Sequence, residues 1–466
     1  LIELIHYIIH HKNMPKAPKL DLERLWEKLR LTLRQQPHGG GELRRALQVS
    51  QPTLSLLIKK HKEELFIIGK TKSATYALPR EMPGLPHQIH VYTIDANGKG
   101  NKAGTLHPVF PGESFHWECK QKKESKFYSG LPYFLEDLRP AGYLGALIPR
   151  LHPELGGPQD ITKWNTNQCL GYLTRFGSDL IGNFILGEEA YSRFLKQQEK
   201  PALVESEMRA ENYEISASDV LALGDPGSSA AGEQPKFLIT KTPHTKVIVK
   251  FSPKKEDARA RRYSDLLWCE GLALQALHNR GFAVESWEVI EGKKRTFLEV
   301  ERFDRLGKLG RRGMISLQSL DLEFVGNGED WSATSEALLK QKKISGSDFE
   351  KIQCLDLFGA LIANSVRHLG NLSFFIESDG KFSLAPIYDM LPMLYNPKME
   401  VVDREFTPPQ PTPSLAATWR IALPAAVEFW TLASEHKHIN REFRAIAEKN
   451  RQILLPFENL VATLPE

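Results

Sequence analysis

The sequence predicts an α+β chain: a small basic helical module at the N-terminus, then a larger body in which strands give way to helices. Three observations carry this. Residues 1–80 hold 15 Lys and Arg against 7 Asp and Glu, a balance of +8, whereas the whole chain carries only +4, so the remainder is slightly acidic. Apolar spacing changes from helical to alternating after Pro79 and returns to helical beyond Ser347. Between Ala363 and Pro392 the chain reads ANSVRHLGNLSFFIESDGKFSLAPIYDMLP, with polar residues spaced for chemistry rather than for packing.

Composition sets the bounds. With 466 residues, 41% of them hydrophobic and 25% charged, the chain is ordinary globular material for two or three domains. Cys119, Cys169, Cys269 and Cys354 are too scattered for a zinc site or a secreted disulfide framework, which predicts a reduced, cytoplasmic setting. No apolar run reaches the ~18 residues that cross a bilayer, and the opening LIELIHYII lacks a basic lead or a cleavage site. Met14 reads as a natural start, so Leu1–Asn13 carry little weight.

Within residues 1–84 the pattern is sharper than charge alone. Leu22, Leu25, Trp26, Leu29 and Leu33 recur at helical spacing before Pro37 and three glycines interrupt them; a second helix comes next over Gly41–Leu47. After a turn at Gln48 and Val49, Ser50 caps a third helix, QPTLSLLIKKHKEEL, with Pro52 in its first turn where a missing N–H costs nothing. That helix buries Leu54, Leu57 and Ile58 and offers Gln51, Thr53, Ser55, Lys59 and Lys60; a hairpin over Phe66–Leu78 carries Lys70 and Lys72 at its tip. This order resembles a winged helix-turn-helix. The resemblance implies that the third helix enters the major groove of double-stranded DNA while lysines engage phosphates. A small protein-interaction or dimerisation domain is the alternative.

From about residue 85 short strands take over. IHVYTID and AGTLHPV flank an Asn-Gly turn, Ser114–Cys119 is a third strand, and Pro132–Arg150 opens a helical part. Further on, GDPGSSAAGEQPKF is a small-residue loop that could bring backbone N–H groups close to phosphates, with Lys236 just beyond it; alone such a loop is more often a plain linker. The order of the next segments favours the phosphate reading. Lys250 sits within a strand over Lys246–Phe251, Glu270 lies on a helix over Tyr263–Asn279, and the strand TFLEVERFDR could be a connector meeting adenine. A strand Lys and a Glu on the next helix form the ion pair that steadies ATP phosphates in kinases. Asn371 and Asp389 then stand where a kinase catalytic loop places its metal-binding residues, but the position five before Asn371, where the substrate-facing Asp belongs, is Val366.

These motifs resemble the HipA-type serine/threonine kinases, the toxin half of bacterial persistence modules, and most nearly the HipH or YjjJ-like branch that carries its own helix-turn-helix. The likeness covers about residues 88–460 and rests on GEQPKF, VIVK, VERFDR, RHLGNLSFF and PIYDM. It implies a protein-kinase-like two-lobed HipA fold, with an N-lobe over 85–305 and a helical C-lobe over 306–466. It further implies ATP and Mg2+ as cofactors, with Gly232, Gln234 and Lys236 in the phosphate loop and Ser229 as the autophosphorylated serine. By the same resemblance Lys250 touches ATP phosphates, Glu301 and Phe303 lie at the adenine hinge, Asn371 and Asp389 hold magnesium, and His368 belongs to the catalytic loop. The family has Asp where this chain has Val366. That departure fits a natural pseudokinase, a toxin that lost its base under selection, or a deliberate change.

Two function classes emerge: an impaired ATP-dependent protein kinase toxin tethered to DNA, or a DNA-binding regulator with a pseudokinase body. The expected partners are double-stranded DNA, a protein substrate, an antitoxin and a second copy in a homodimer, with no membrane. Helices are expected over Trp331–Gln341, Ser347–Ile362, Ala416–Ala433 and Asn440–Leu455; the basic, Gly-rich run Arg305–Met314 reads as a mobile solvated loop rather than a substrate dock, and FTPPQPTPS as an extended linker or surface loop.

Overall fold

The computed structural model describes residues 21–69, 74–120, 125–197, 203–223, 234–326, 328, 330–397 and 400–465. Lys70, Lys72, Ser229 and Gly232 lie outside the described residues. The chain forms two compact units, Leu1–Gln88 with Leu106–Gly130, and Ile89–Thr105 with Leu131–Glu466. Among the described residues no helix is long and apolar enough to cross a membrane, and the four cysteines are free thiols.

In the first unit three helices, Leu22–Gln35, Gly40–Leu47 and Gln51–Lys60, enclose Trp26, Leu29, Leu33, Leu43, Leu47, Leu54 and Leu57. Asp21 and Ser50 cap the first and third helices by accepting from the N–H groups of Arg24 and Thr53. The turn between the second and third helices places Gln48 in the left-handed region at φ 58°, with the next N–H, of Val49, closing on the Arg44 carbonyl. Phe66–Ile68 and Thr75–Ala77 pair antiparallel, and His38–Gly39 adds a third short strand. The third helix stops at Lys60, five residues before its expected end. His61 leaves the helix to stack on the Trp26 ring at 4.0 Å, and its Nδ1 meets the Glu64 carboxylate at 2.7 Å. In the same unit Ser114–Cys119 pairs with Ser125–Tyr128, and the Phe110 N–H donates to the Leu78 carbonyl.

The second unit carries a four-stranded antiparallel sheet in the order Trp287–Glu291, Thr296–Glu301, Thr245–Phe251, Lys236–Lys241. One face of the sheet buries Phe237, Val247, Val249, Phe251 and Phe297 around Tyr213 of the helix Arg209–Ala222. The helix Ala258–Asn279 begins five residues earlier than its apolar pattern suggests, because Asp257 accepts from the Ala260 N–H at 2.7 Å and extends it upstream. A helical lobe comes next. Leu317–Phe324, Trp331–Lys340, Gly346–Leu361, Ala416–Glu435 and Arg441–Ala462 pack around Trp331, Phe358, Trp419, Phe429, Trp430 and Phe443. Pro456, close to the expected end of the last helix, lies inside it; burial of Phe457 and Val461 beyond the proline carries the chain onward despite the lost hydrogen bond. A small antiparallel sheet takes its strands in sequence order, Met314–Ser316, Ser373–Ile376 and Phe382–Leu384. Thr166–Phe176, Glu188–Gln197 and Arg209–Ala222 are helices beyond those the sequence predicts.

The reading of Arg305–Met314 as a solvated loop is overturned. Arg305 is 9% and Arg311 3% exposed, on two short strands that pair with each other. Their guanidiniums are drawn inward by Asp179 and by the carbonyls of Ser178, Leu180 and Gly182.

The left-handed backbone at Gln48 yields a test. An L-residue there costs about 1–2 kcal/mol, partly offset in a glycine by about 0.4–1 kcal/mol of unfolded-chain entropy. Gln48→Gly should raise the melting temperature of the first unit slightly, and the β-branched Gln48→Val should lower it by several degrees, as read by differential scanning calorimetry of the full chain.

Candidate active site

Lys250 belongs to a strand in which Val247, Val249 and Phe251 turn to the core, so its side chain leaves the opposite face of the sheet. Directly across the ladder from it stands Lys236. Two ammonium groups at facing positions repel each other, and such a pair persists where acidic groups lie near both. Those groups are present. The Lys250 Nζ donates to Glu270 Oε1 at 2.6 Å and to Asp389 Oδ1 at 2.5 Å. Glu270 comes from the long helix Ala258–Asn279 and is 1% exposed, whereas Asp389 keeps 34% of its side-chain surface open.

Burial disfavours every charge in this group, yet the ion pairs prevail for two of the three. Burial opposes the Lys250 ammonium, but Asp389 and Glu270 hold it above the usual lysine range. Asp389 is likewise held below the usual carboxylate range by Lys250, with Lys236 and His368 contributing, against the effect of burial. For Glu270 burial wins and its carboxyl is raised despite Lys250. The Lys250–Asp389 link is therefore fully formed across neutral pH. It is lost on acidification only below the ordinary aspartate range, and on alkalinisation only above the ordinary lysine range. Glu270 Oε2 is buried without a hydrogen-bond partner among the described residues.

Tied to this ion group through Tyr388 is the loop 364–371. The Val366 N–H donates to the Asn364 side-chain oxygen at 3.1 Å, and the Val366 carbonyl accepts from Asn371 Nδ2 at 3.4 Å. Residue 366 and Asn371 thus face each other across one tight loop. Asn371 turns its amide nitrogen inward, which leaves the amide oxygen as a donor atom for a cation. Arg367 braces the loop through Asp356 at 2.8 Å, and the buried Trp331 donates from Nε1 to the His368 carbonyl at 2.8 Å. Tyr388 ties the loop to Asp389: its hydroxyl lies 2.7 Å from Ser373 Oγ and donates to the Gly370 carbonyl at 3.1 Å. Asp389 itself sits at φ 60°, a left-handed conformation that Asp tolerates better than most residues.

The connector after Thr296–Glu301 is held more firmly than its sequence suggests. Glu301 ends the strand, its N–H given to the Ser286 carbonyl at 2.9 Å. Phe303 places its ring 5.8 Å from Phe375 and 5.9 Å from Tyr388, directly beside the Asp389 segment. On either side of it, Arg302 pairs with Asp304 at 2.9 Å and Arg305 with Asp304 at 2.7 Å and Asp179 at 2.8 Å. Burial and the neighbouring Arg305 push Arg311 down to about 9. Sequence reasoning misses this buried charge cluster. The alternation of sign in ERFDR is its only local trace; Asp179 is more than a hundred residues away. Gln234 lies half-buried just before Lys236, next to Pro235, whose carbonyl accepts from the Phe251 N–H at 3.0 Å. The structure thus gathers Lys236, Lys250, Glu270, His368 and Asp389 electrostatically, with Phe303 and the Val366–Asn371 loop attached through Tyr388.

A family model described as "HipA-like C-terminal domain" matches residues 228–454, and one described as "YjjJ-like toxin, middle domain" matches residues 85–195. The protein named Toxin YjjJ of Escherichia coli (strain K12) is 34% identical over 439 residues, 93% of this chain and 98% of that one. The chain belongs to the HipA-like toxin family, in its YjjJ branch. Its fold is accordingly the kinase-like two-lobed fold of HipA-type proteins, a four-stranded sheet lobe joined to a helical lobe. Among solved structures, it is similar to HipA of Shewanella oneidensis MR-1, in a complex titled with HipB and operator DNA, at 16% identity and a TM-score of 0.48 over 79% of this chain and 96% of that chain. It is also similar to the Helicobacter pylori proinflammatory kinase CtkA, at 16% identity and a TM-score of 0.32 over 47% of this chain and 92% of that one.

The ion group in this HipA-like body has a direct test. Lys250→Met leaves Glu270 buried without its counter-charge, at a cost of about 3–5 kcal/mol; adding Glu270→Gln should recover much of that loss. Denaturant unfolding monitored by tryptophan fluorescence measures both, and equal stability of parent and Lys250→Met would contradict the pairing.

Proposed function

We propose that the chain is an ATP-dependent serine/threonine protein kinase toxin, impaired at Val366, whose first unit binds double-stranded DNA as a winged helix-turn-helix. The observation that carries the kinase reading is the Lys250 ammonium held between Glu270 and Asp389, with Lys236 at the facing ladder position. In this reading Lys236 and Lys250 bind the phosphates of ATP, helped by the loop containing Gly232 and Gln234, while the connector at Glu301 and Phe303 borders the adenine. Asp389 and Asn371 supply oxygen donors suited to a hard cation. Mg2+ takes one or two carboxylates and keeps several waters, a demand that Asp389 and the Asn371 amide oxygen can meet. Bound there, Mg2+ would neutralise charge on the phosphates. Residue 366 faces Asn371 and is where a carboxylate would accept the proton of the attacking serine hydroxyl; Val366 cannot, which removes roughly 10²–10⁴-fold of rate. Ser229 is the proposed site of autophosphorylation.

Val366 also favours a second reading, in which the kinase body binds nucleotide or a partner without transferring phosphate and the chain is a DNA-binding regulator. Both readings place the protein in the cytoplasm and pair it with DNA and an antitoxin. In the first it also acts on a protein substrate, and half-site geometry on DNA calls for a homodimer. The DNA reading is supported by the +8 balance of residues 1–80 and by the exposed Gln51, Ser55 and Lys59, with Thr53 half-buried on the same helix. Lys60 is engaged in an ion pair with Glu23, so its part in phosphate contact is smaller than Lys59's.

Val366→Asp should restore phosphotransfer by about two to four orders of magnitude over the parent, read by radiolabelled autophosphorylation and by growth arrest in a bacterial host. A Val366→Asp protein that binds nucleotide yet transfers no phosphate selects the regulator reading. Affinity of the full chain for duplex DNA should fall steeply between about 50 and 200 mM salt, measured by fluorescence anisotropy, and Lys59→Ala should flatten that slope.

A further inference from the structure

The outward stripe of the helix Gln51–Lys60 carries information beyond its charge. Leu54 and Leu57 fix the buried side, so positions 51, 52, 55, 56 and 59 form the opposite face at helical spacing. Gln51, Ser55 and Lys59 make one row, and Gln51 Nε2 donates to Ser55 Oγ at 3.3 Å. Pro52 and Leu56 make the second row, and Leu56 exposes 52% of its surface to water although the unit's core lies one turn away. Lys60 is turned aside by Glu23, and the stripe holds no Arg, Asp or Glu.

This repertoire is selective against the edges of DNA bases. In the major groove the bidentate partner of guanine is Arg or Lys, cytosine is read by Asp or Glu, adenine N6 and N7 suit Asn or Gln, and the thymine methyl takes an apolar side chain. Base contacts in helix-turn-helix proteins come from the N-terminal residues of the recognition helix. Gln51 and Pro52 open this helix; Lys59 lies two turns on, where a lysine is placed to meet the backbone. On that geometry we infer that the first unit reads A·T base pairs: Gln51 takes an adenine edge, Leu56 packs on the 5-methyl group of a neighbouring thymine, and Lys59 holds a phosphate. The inference rests on the DNA-binding reading and deepens it by naming the sequence class.

The test uses the full chain. Selection from a randomised duplex at fixed salt should enrich sites with adjacent A·T pairs. On an enriched site, replacing the contacted thymine by deoxyuridine removes only the methyl group and should weaken binding severalfold in the parent but not in Leu56→Ala. Replacing the adenine by 7-deazaadenine removes one of the two hydrogen bonds and should weaken binding severalfold in the parent, and little in Gln51→Ala. Both side chains are exposed, so neither substitution threatens folding. Enriched sites with G·C at their centre, or uracil and deaza penalties that persist in the two variants, would overturn the assignment while leaving DNA binding intact. Absence of salt-dependent binding to every duplex would overturn both.

Discussion

One lysine sets the terms for the second unit. Lys250 leaves the polar face of a strand and meets two carboxylates, Glu270 on the next helix and Asp389 far along the chain, beyond the loop 364–371. Removing three charges from water is costly unless each finds a partner, so the sheet lobe, the helix and the segment 386–390 must come together for any of them to be satisfied. Specificity rather than net stability is the expected gain from such a group. Of its members, Asp389 alone keeps a third of its side chain open.

Around that lysine, two supports turn a contact into a site. Tyr388 joins Asp389 to the loop carrying Val366 and Asn371, and Phe303 lays its ring against Tyr388 from the connector. Behind the connector, Arg302, Asp304, Arg305 and Asp179 lock its position through charge-assisted hydrogen bonds, which are shorter and stronger than neutral ones. Displacement at the connector would therefore be felt at Asp389 through two aromatic rings. Val366 stands out against this background. Its backbone is held on both sides, and Arg367 and Trp331 brace the loop, so an aliphatic side chain occupies a position fixed by hydrogen bonds all round it.

Much of this is legible in the sequence because the relevant signals are local. The alternation around Lys250, the capping Ser50 and Pro52, and the spacing from Val366 to Asn371 each arise from a dozen residues or fewer. The features that escape a sequence reading are determined at a distance. Arg305 and Arg311 look like a solvated basic loop until Asp179 is brought beside them, and His61 looks helical until Trp26 offers its face. The helix Arg209–Ala222 carries only a weak apolar stripe, which hides its helical character in sequence, and Pro456 hides the continuation of the last helix because burial of Phe457 overrides a local breaker. Gly232, Ser229, Lys70 and Lys72 stand out in the sequence and lie outside the described residues, so their assignments rest on motif alone.

We propose that the Lys250, Glu270 and Asp389 group binds magnesium and nucleotide, and does so despite Val366. Isothermal titration of the full chain with ATP, with and without magnesium, addresses it most directly. The account predicts saturable binding that depends on magnesium and is lost in Asp389→Ala, whose folded state is checked in parallel by circular dichroism. Binding that is absent at millimolar ATP, or equal with and without magnesium in a well-folded chain, would contradict it.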